Sequence, residues 1–434
     1  DVSLVTFEQG PEPNLDWSVL PVAERGHVEA LWARTAVQAS APDLALRNAW
    51  PPVVQGMRGH LRILASYAWE ETRFPREFAK QFNRTLDLIT VASSQTAVFL
   101  EDAGVNVPIA VVGHGLDHLR GVSGATLPVE LPKGFNFLHV SSCFPRKGVD
   151  ILLKSFCDNF TNKDDVSLII KTFENQHNSV EDFIIRIQKE NLSAPEILLI
   201  KEDLSEMQMS YLYQECDALV APSRGEGFGL PIAEAMYFGL PVITTGWGGQ
   251  LDFCNHKNSF LIDFNFAKSE SHFGLDLSYW AEPSTMHLSQ LMLLLFNSDS
   301  SFINQKVDNA KKTIFNFTWS EVARKNILFA SNLTQSFNSY TPKIGWISTW
   351  NSRCGIASYS RHLISNMENE IVVYSPRSEE TLLEDIVEIT PCWELNSFDK
   401  SNFDEILFNL HESNITSLTI QFNYGFFQFD VFSE

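Results

Sequence analysis

Cysteine is scarce and scattered. The six thiols, at positions 143, 157, 216, 254, 354 and 392, form no C-x-x-C pair, which argues against a dense disulfide framework or a zinc site and suits reduced thiols in a cytoplasmic setting. Positive charge is also short: 32 Lys and Arg stand against 53 Asp and Glu, a net charge of −21. Such a surface repels phosphate backbones, so nucleic acid is a poor partner. The apolar runs, of the Leu291–Phe296 kind, fall far short of the ~18 residues that span a bilayer. The opening residues show no basic start followed by an apolar core, so no export signal is read there. P-loop, H-E-x-x-H and G-x-S-x-G patterns are missing too, which removes the strongest signals for a P-loop enzyme, a zinc protease and an α/β-hydrolase.

What remains is the bulk of an ordinary folded protein, 44% hydrophobic and 20% charged over 434 residues, long enough for two to four domains. Between residues 43 and 115, short apolar runs alternate with amphipathic stretches. Leu44–Arg47, Leu61–Tyr67, Leu86–Ala92 and Pro108–Val112 read as strands, and Pro75–Arg84 and Ser93–Ala103 as helices, the second capped by Ser93. This alternation implies a parallel sheet. Gly121–Lys133 reads as a linker. A second α/β run follows, with strands at Phe135–Ser141, Val166–Lys171, Glu196–Ile200, Ala218–Ala221 and Pro241–Thr245, and helices at Lys147–Phe156, Val180–Lys189, Ser205–Glu215 and Pro231–Phe238: a doubly wound pattern. Residues 283–336 carry helical periodicity alone. Lys343–Ser348, Ala357–Met367, Glu370–Tyr374 and Ile415–Phe422 then open a third α/β unit. Residues 341–434 hold 14 acids against 5 bases.

The chemistry concentrates in Ala218-Leu-Val-Ala-Pro-Ser-Arg-Gly-Glu226-Gly-Phe-Gly-Leu-Pro-Ile-Ala-Glu234. A buried strand enters a glycine-rich turn and then a helix opened by Pro231. The carboxyl end of such a strand and the following helix N-terminus favour an anionic ligand. Glu226 and Glu234 would repel a phosphate, unless they address hydroxyls. Sugar or ribose recognition resolves that conflict. At the first strand of the same run, Arg146 and Lys147 can supply a fork and a point charge to a diphosphate. Each feature has a plainer reading alone, Glu234 as a helix-dipole acid and Arg146-Lys147 as a solvated pair. Gly225-x-Gly227-x-Gly229 is not a dinucleotide fingerprint, because Leu230 stands where its third glycine belongs.

Together, Arg146-Lys147-Gly148-x-Asp150 and Pro222-Ser223-x-x-Glu226-Gly-Phe-Gly-Leu-Pro-x-x-Glu234-Ala-Met-x-x-Gly239-x-Pro241-Val, about 80 residues apart, strongly resemble the retaining glycosyltransferases of family four. The resemblance covers residues 43 to about 335. It implies a GT-B fold, with two Rossmann-like doubly wound domains facing a cleft, to which the pattern of residues 341–434 adds a partial third α/β unit at the C-terminus. Arg47-Asn-Ala-Trp50-Pro-Pro, Tyr67-Ala-Trp69-Glu70 and Val112-Gly-His-Gly-Leu-Asp117 are similar to bacterial surface-polysaccharide transferases, often mannosyltransferases. Many relatives carry a catalytic-region His near the positions of Tyr67 and Trp69.

By this resemblance Lys147 and Arg146 neutralise the donor diphosphate, and Glu226 meets the transferred sugar. The amides of Gly227, Phe228, Gly229 and Leu230 contact donor sugar and phosphate, and Glu234 holds the ribose hydroxyls. Trp69 and Glu70 are acceptor-side candidates. No cofactor and no metal are implied, in keeping with the lack of a D-x-D triplet. The partners would be a GDP- or UDP-sugar and a glycan or lipid-linked saccharide acceptor, with peripheral contact at the inner membrane face left open. The expected divisions are 1–120, a truncated acceptor-side domain; 121–336, the donor domain with its helical tail; and 341–434, the opening of a second transferase in tandem. A variant of this reading docks the tail on the first domain, with Lys343–Ser348 pairing with residues 43–67; the sequence leaves the two open. Competing readings are a binding module without turnover and a GT-B epimerase.

Overall fold

The computed structural model describes residues 22–34, 43–121, 126–271, 273–298, 300–339, 343–350, 355–367, 369–377, 387–394, 400–413, 415 and 417–420. The chain divides into two compact units, Asp1–Ala330 and Ser331–Glu434.

The first unit begins with helix α1 (Val22–Ala33) and continues through β1 (Leu44–Arg47), β2 (Leu61–Tyr67), α2 (Arg76–Thr85), β3 (Leu88–Val91), α3 (Ser94–Asp102) and β4 (Ile109–Val111). The four strands lie side by side in sequence order, all parallel. Every residue of β3 is buried, as a strand covered on both faces requires. Ser93 caps α3 by accepting the Thr96 N–H. The core here is aromatic, with Trp69 and Phe82 fully enclosed beside Ile63, Leu64 and Ile89.

The second half of this unit runs β5 (Phe135–Val140), α4 (Val149–Asn159), β6 (Val166–Lys171), α5 (Val180–Glu190), β7 (Glu196–Ile200), α6 (Glu206–Glu215), β8 (Ala218–Ala221), α7 (Leu230–Phe238), β9 (Val242–Thr245) and β10 (Phe260–Ile262). The parallel order is β10-β9-β8-β5-β6-β7. Starting at β5 the chain builds outward to β7, then returns to β8 and builds the other way. The switch falls between β5 and β8, and in doubly wound sheets ligands settle at the carboxyl ends of the strands at that point. Those ends carry the Arg146-Lys147 loop and the Glu226 loop. An antiparallel hairpin, β11 (Phe264–Lys268) with β12 (Tyr279–Pro283), was not legible in the sequence. Helices α8 (Thr285–Asn297), α9 (Ser300–Ile314) and α10 (Trp319–Ser339) follow. The last returns to the first sheet, where Asn326 Oδ1 accepts the Thr90 hydroxyl at 2.8 Å.

The second unit holds β13 (Ile344–Ile347), α11 (Gly355–Ile364), β14 (Ile371–Pro376), β15 (Glu388–Trp393), α12 (Lys400–Glu412) and β16 (Ser417–Ile420), with parallel order β15-β14-β13-β16. Among the described residues, no strand pair joins Lys343–Ser348 to residues 43–67, as the docked variant would need. Both edges of β13 are taken, by β14 and β16, so the strand sits inside its own sheet. Strand β15 and helix α12 were not read from the sequence. The end of the expected strand Ile415–Phe422, and everything beyond Ile420, lie outside the described residues.

Candidate functional site

Two loops meet at the switch point. After β5 the chain turns through Ser141–Phe144 into a short 3-10 turn, Pro145–Lys147, that closes on Gly148 in the left-handed region at φ +68°. A Cβ at Gly148 would collide with the Pro222 carbonyl, so only glycine lets the two loops touch. After β8 the second loop, 222–229, is buried throughout. It ends at Gly229, φ +91°, from which α7 starts with no side-chain cap and Pro231 in its first turn. The unsupplemented N–H groups of that turn favour a ligand oxyanion.

At the centre is a cluster of four ionisable side chains. Lys147 Nζ donates to Glu226 Oε1 at 2.6 Å, and the Ser223 hydroxyl donates to the same oxygen at 2.7 Å. Arg146 Nη1 stands 3.9 Å from Glu226 Oε2 and donates to the Gly225 carbonyl at 3.2 Å. Its Nη2 reaches Glu70 of the first sheet's side at 3.0 Å. Burial alone would push the Glu226 pKa up, but the Lys147 and Arg146 cations and the two hydrogen bonds outweigh it and hold the carboxyl below its ordinary range. Burial and neighbouring Arg146 push Lys147 down, against the opposing pull of Glu226. Two cations and two carboxylates thus balance one another in a nearly dry site, where exchange of a carboxylate partner for a phosphate would be felt strongly.

The structure therefore brings together Arg146, Lys147, Glu226 and Glu70. On α7, Glu234 Oε2 accepts the Tyr213 hydroxyl at 2.8 Å, and burial raises its pKa. Gly227, Phe228, Gly229 and Leu230 form the bend into α7. Trp69 fills the aromatic core, its indole N–H donating to the Arg73 carbonyl at 2.8 Å. It presents no face to the cleft. Trp50, 55% exposed, does, with its ring centroid 6.0 Å from that of Trp69.

Four supporting residues were given no role by the sequence reading, although Ser223 and His114 stand inside its motifs. Arg224 forks to Asp150 at 2.7–2.8 Å and to Glu282 of β12 at 2.7 Å, and lies 5.1 Å over the Trp280 ring. Burial opposes its charge, yet these carboxylates raise its pKa. Ser223 is the second donor to Glu226. His139, fully buried on β5, has Nδ1 2.8 Å from the Val220 carbonyl and Nε2 2.8 Å from Ser141 Oγ; the carbonyl can only accept, so Nδ1 carries the proton and Nε2 accepts from the serine. Burial brings its pKa down to about 4. His114 packs edge-on against Phe228, with ring centroids 4.8 Å apart. Arg224 stood at an unspecified position of the motif, and nothing in its spacing pointed to Asp150 or Glu282.

Residues 129–272 match the family model "Glycosyl transferases group 1". An uncharacterized glycosyltransferase of Methanocaldococcus jannaschii is 38% identical over 119 residues, covering 26% of this chain and 30% of that one. A lipopolysaccharide core biosynthesis mannosyltransferase of Rhizobium meliloti is 30% identical over 203 residues, covering 44% of this chain and 54% of that one. The chain thus spans about half or less of the length of the curated relatives it matches. Among solved structures, a sucrose-phosphate synthase of Thermosynechococcus elongatus superposes with a TM-score of 0.51 at 18% identity, over 72% of this chain and 78% of that one. The matched segment, residues 129–272, thus resembles the glycosyl transferases group 1 family and lies within a GT-B fold.

Proposed function

We propose that the chain transfers a hexosyl group, mannose favoured, from a GDP- or UDP-sugar to a glycan or lipid-linked acceptor with retention of anomeric configuration and without a metal. The observation that carries this reading is the Lys147–Glu226 pair at 2.6 Å at the β5/β8 switch point, inside the matched family segment and beside the uncapped start of α7. The mannosyltransferase relative favours the choice of sugar.

In the reaction the bond between the sugar's anomeric carbon and the diphosphate oxygen breaks while one to the acceptor oxygen forms. The acceptor's proton passes to the departing diphosphate on the same face. Negative charge grows on that leaving group, so Lys147, Arg146 and the first-turn amides of α7 gain more from the transition state than from the bound donor, which is what accelerates the step. Glu226, once released from Lys147, offers its carboxylate to the sugar hydroxyls. Glu70 and Arg146 join the two faces of the cleft and limit the entry of water, disfavouring hydrolysis.

The test is donor consumption by the intact chain against a panel of GDP- and UDP-sugars with glycan acceptors, in EDTA. One donor should be consumed with the product anomer retained. Glu226→Gln and Lys147→Ala should each lower turnover by about a hundredfold or more. Binding of a donor without turnover under every acceptor would favour the binding-module reading instead.

A further inference from the structure

Beside the charge cluster lies a cavity of about 410 Å3, lined among others by Asn48, Trp50, Tyr67, Glu70, His114 and Arg146. Its size falls within the ~300–1,000 Å3 of small-molecule sites. Two of its polar atoms are buried without a hydrogen-bond partner: Tyr67 Oη, on a side chain only 5% exposed, and His114 Nδ1. Native structures rarely leave such atoms unmatched unless something else satisfies them. Tyr67 is also placed at a cost. The β2–β3 register slips between Leu64 and Tyr67, and Ser66 adopts φ +49°, a left-handed conformation for a residue with a side chain. Its N–H is held by Thr90 Oγ1 at 3.0 Å. Backbone strain of this kind gathers at ligand sites. In the same cavity lining, Trp50 is braced against Tyr67 and Phe273, with centroids 6.4 and 5.7 Å away, while more than half of its surface stays open.

An open indole face next to unmatched hydroxyl and imidazole groups is the chemistry of a pyranose site, since a sugar ring has an apolar face to stack and hydroxyls that both donate and accept. We infer that this cavity holds the terminal pyranose of the acceptor, stacked on Trp50 with its hydroxyls on Tyr67 Oη and His114 Nδ1, and that these three residues set acceptor specificity. The word acceptor rests on the transferase reading; the pyranose site does not. Burial lowers the His114 pKa, which keeps its ring neutral and able to match a hydroxyl in either sense.

The experiment needs no donor. Methyl α-mannopyranoside and methyl α-glucopyranoside are titrated into the intact chain by saturation-transfer NMR, beside Trp50→Ala and Tyr67→Phe, with thermal melts confirming that both variants fold. At least one glycoside should bind the unmodified chain, and each variant should weaken it about fivefold or more. Failure of both glycosides to bind, or equal binding by folded variants, overturns the inference. A chain that binds a glycoside but consumes no nucleotide sugar keeps the site and loses the transferase reading. A chain that consumes donor while the variants bind glycoside unchanged keeps the transferase reading and loses the site.

Discussion

At the scale of single residues, the two loops at the switch point tolerate little. Gly225 lies so close to the facing domain that a Cβ there would stand 2.5 Å from the Glu70 carbonyl oxygen. Gly225→Ala should therefore push backbone from backbone, at about 1–3 kcal/mol. A denaturant melt would show the loss, and a variant as stable as the parent would mean that the domains are not in this contact in solution. His139 gives a pH signature. Its pKa in the fold is about 4 against ~6.5 for an unperturbed histidine. A depressed pKa means that the unfolded chain binds the extra proton more readily, so this contribution is complete above pH ~6.5 and is lost as pH falls toward 4. Stability measured at pH 7 and pH 5 should differ by about 2 kcal/mol from this group, and His139→Gln should remove that part of the slope. A slope unchanged in the variant would assign it to other groups.

At the scale of elements, Arg224 ties the Glu226 loop to α4 through Asp150 and to β12 through Glu282. Arg224→Lys keeps the charge but loses the fork. It should cost about 2 kcal/mol in a melt and lower donor turnover along with it, because Glu226 is two residues away. Stability unchanged in the variant would show the clasp to be idle. The β-strands and helices that frame the two loops were readable from the sequence, because period-2 and period-3.6 patterns record burial on one face or two, as in the fully buried β3 and β6. The clasp was not. It depends on three charges that meet only after folding, from positions 150, 224 and 282. The hairpin of β11 and β12 escaped for a related reason: its buried, half-buried and exposed residues follow no alternation, so burial leaves no period-2 pattern to read. Lys147 and Glu226 were identified from their motifs, but their direct pairing was not, since a motif gives positions along the chain and not distances across it. Nor does the sequence tell which indole the core absorbs, Trp69 being fully buried while Trp50 is 55% exposed.

At the scale of the molecule, the first unit works as two sheets joined through side chains at the cleft. The Glu70–Arg146 pair, the buried Glu71 carboxylate accepting from Ser269 and Ser278 at 3.1 and 2.7 Å, and the return of α10 to Thr90 all cross between the halves. All the candidate site residues, from Trp50 to Glu282, lie within Asp1–Ala330. A chain ended after Ser339, where α10 stops, should thus keep its nucleotide-sugar affinity within about twofold, while loss of binding would give the second unit a part in the site. The central claim is that Lys147 and the Glu226 loop hold the donor diphosphate. Its most direct test is a calorimetric titration of GDP-mannose and the UDP-hexoses into the intact chain and into Lys147→Ala. The account predicts that one nucleotide sugar binds the intact chain and that the variant binds it at least tenfold more weakly, about 1.4 kcal/mol. Absence of binding by every nucleotide sugar, or equal affinity in the variant, would contradict it.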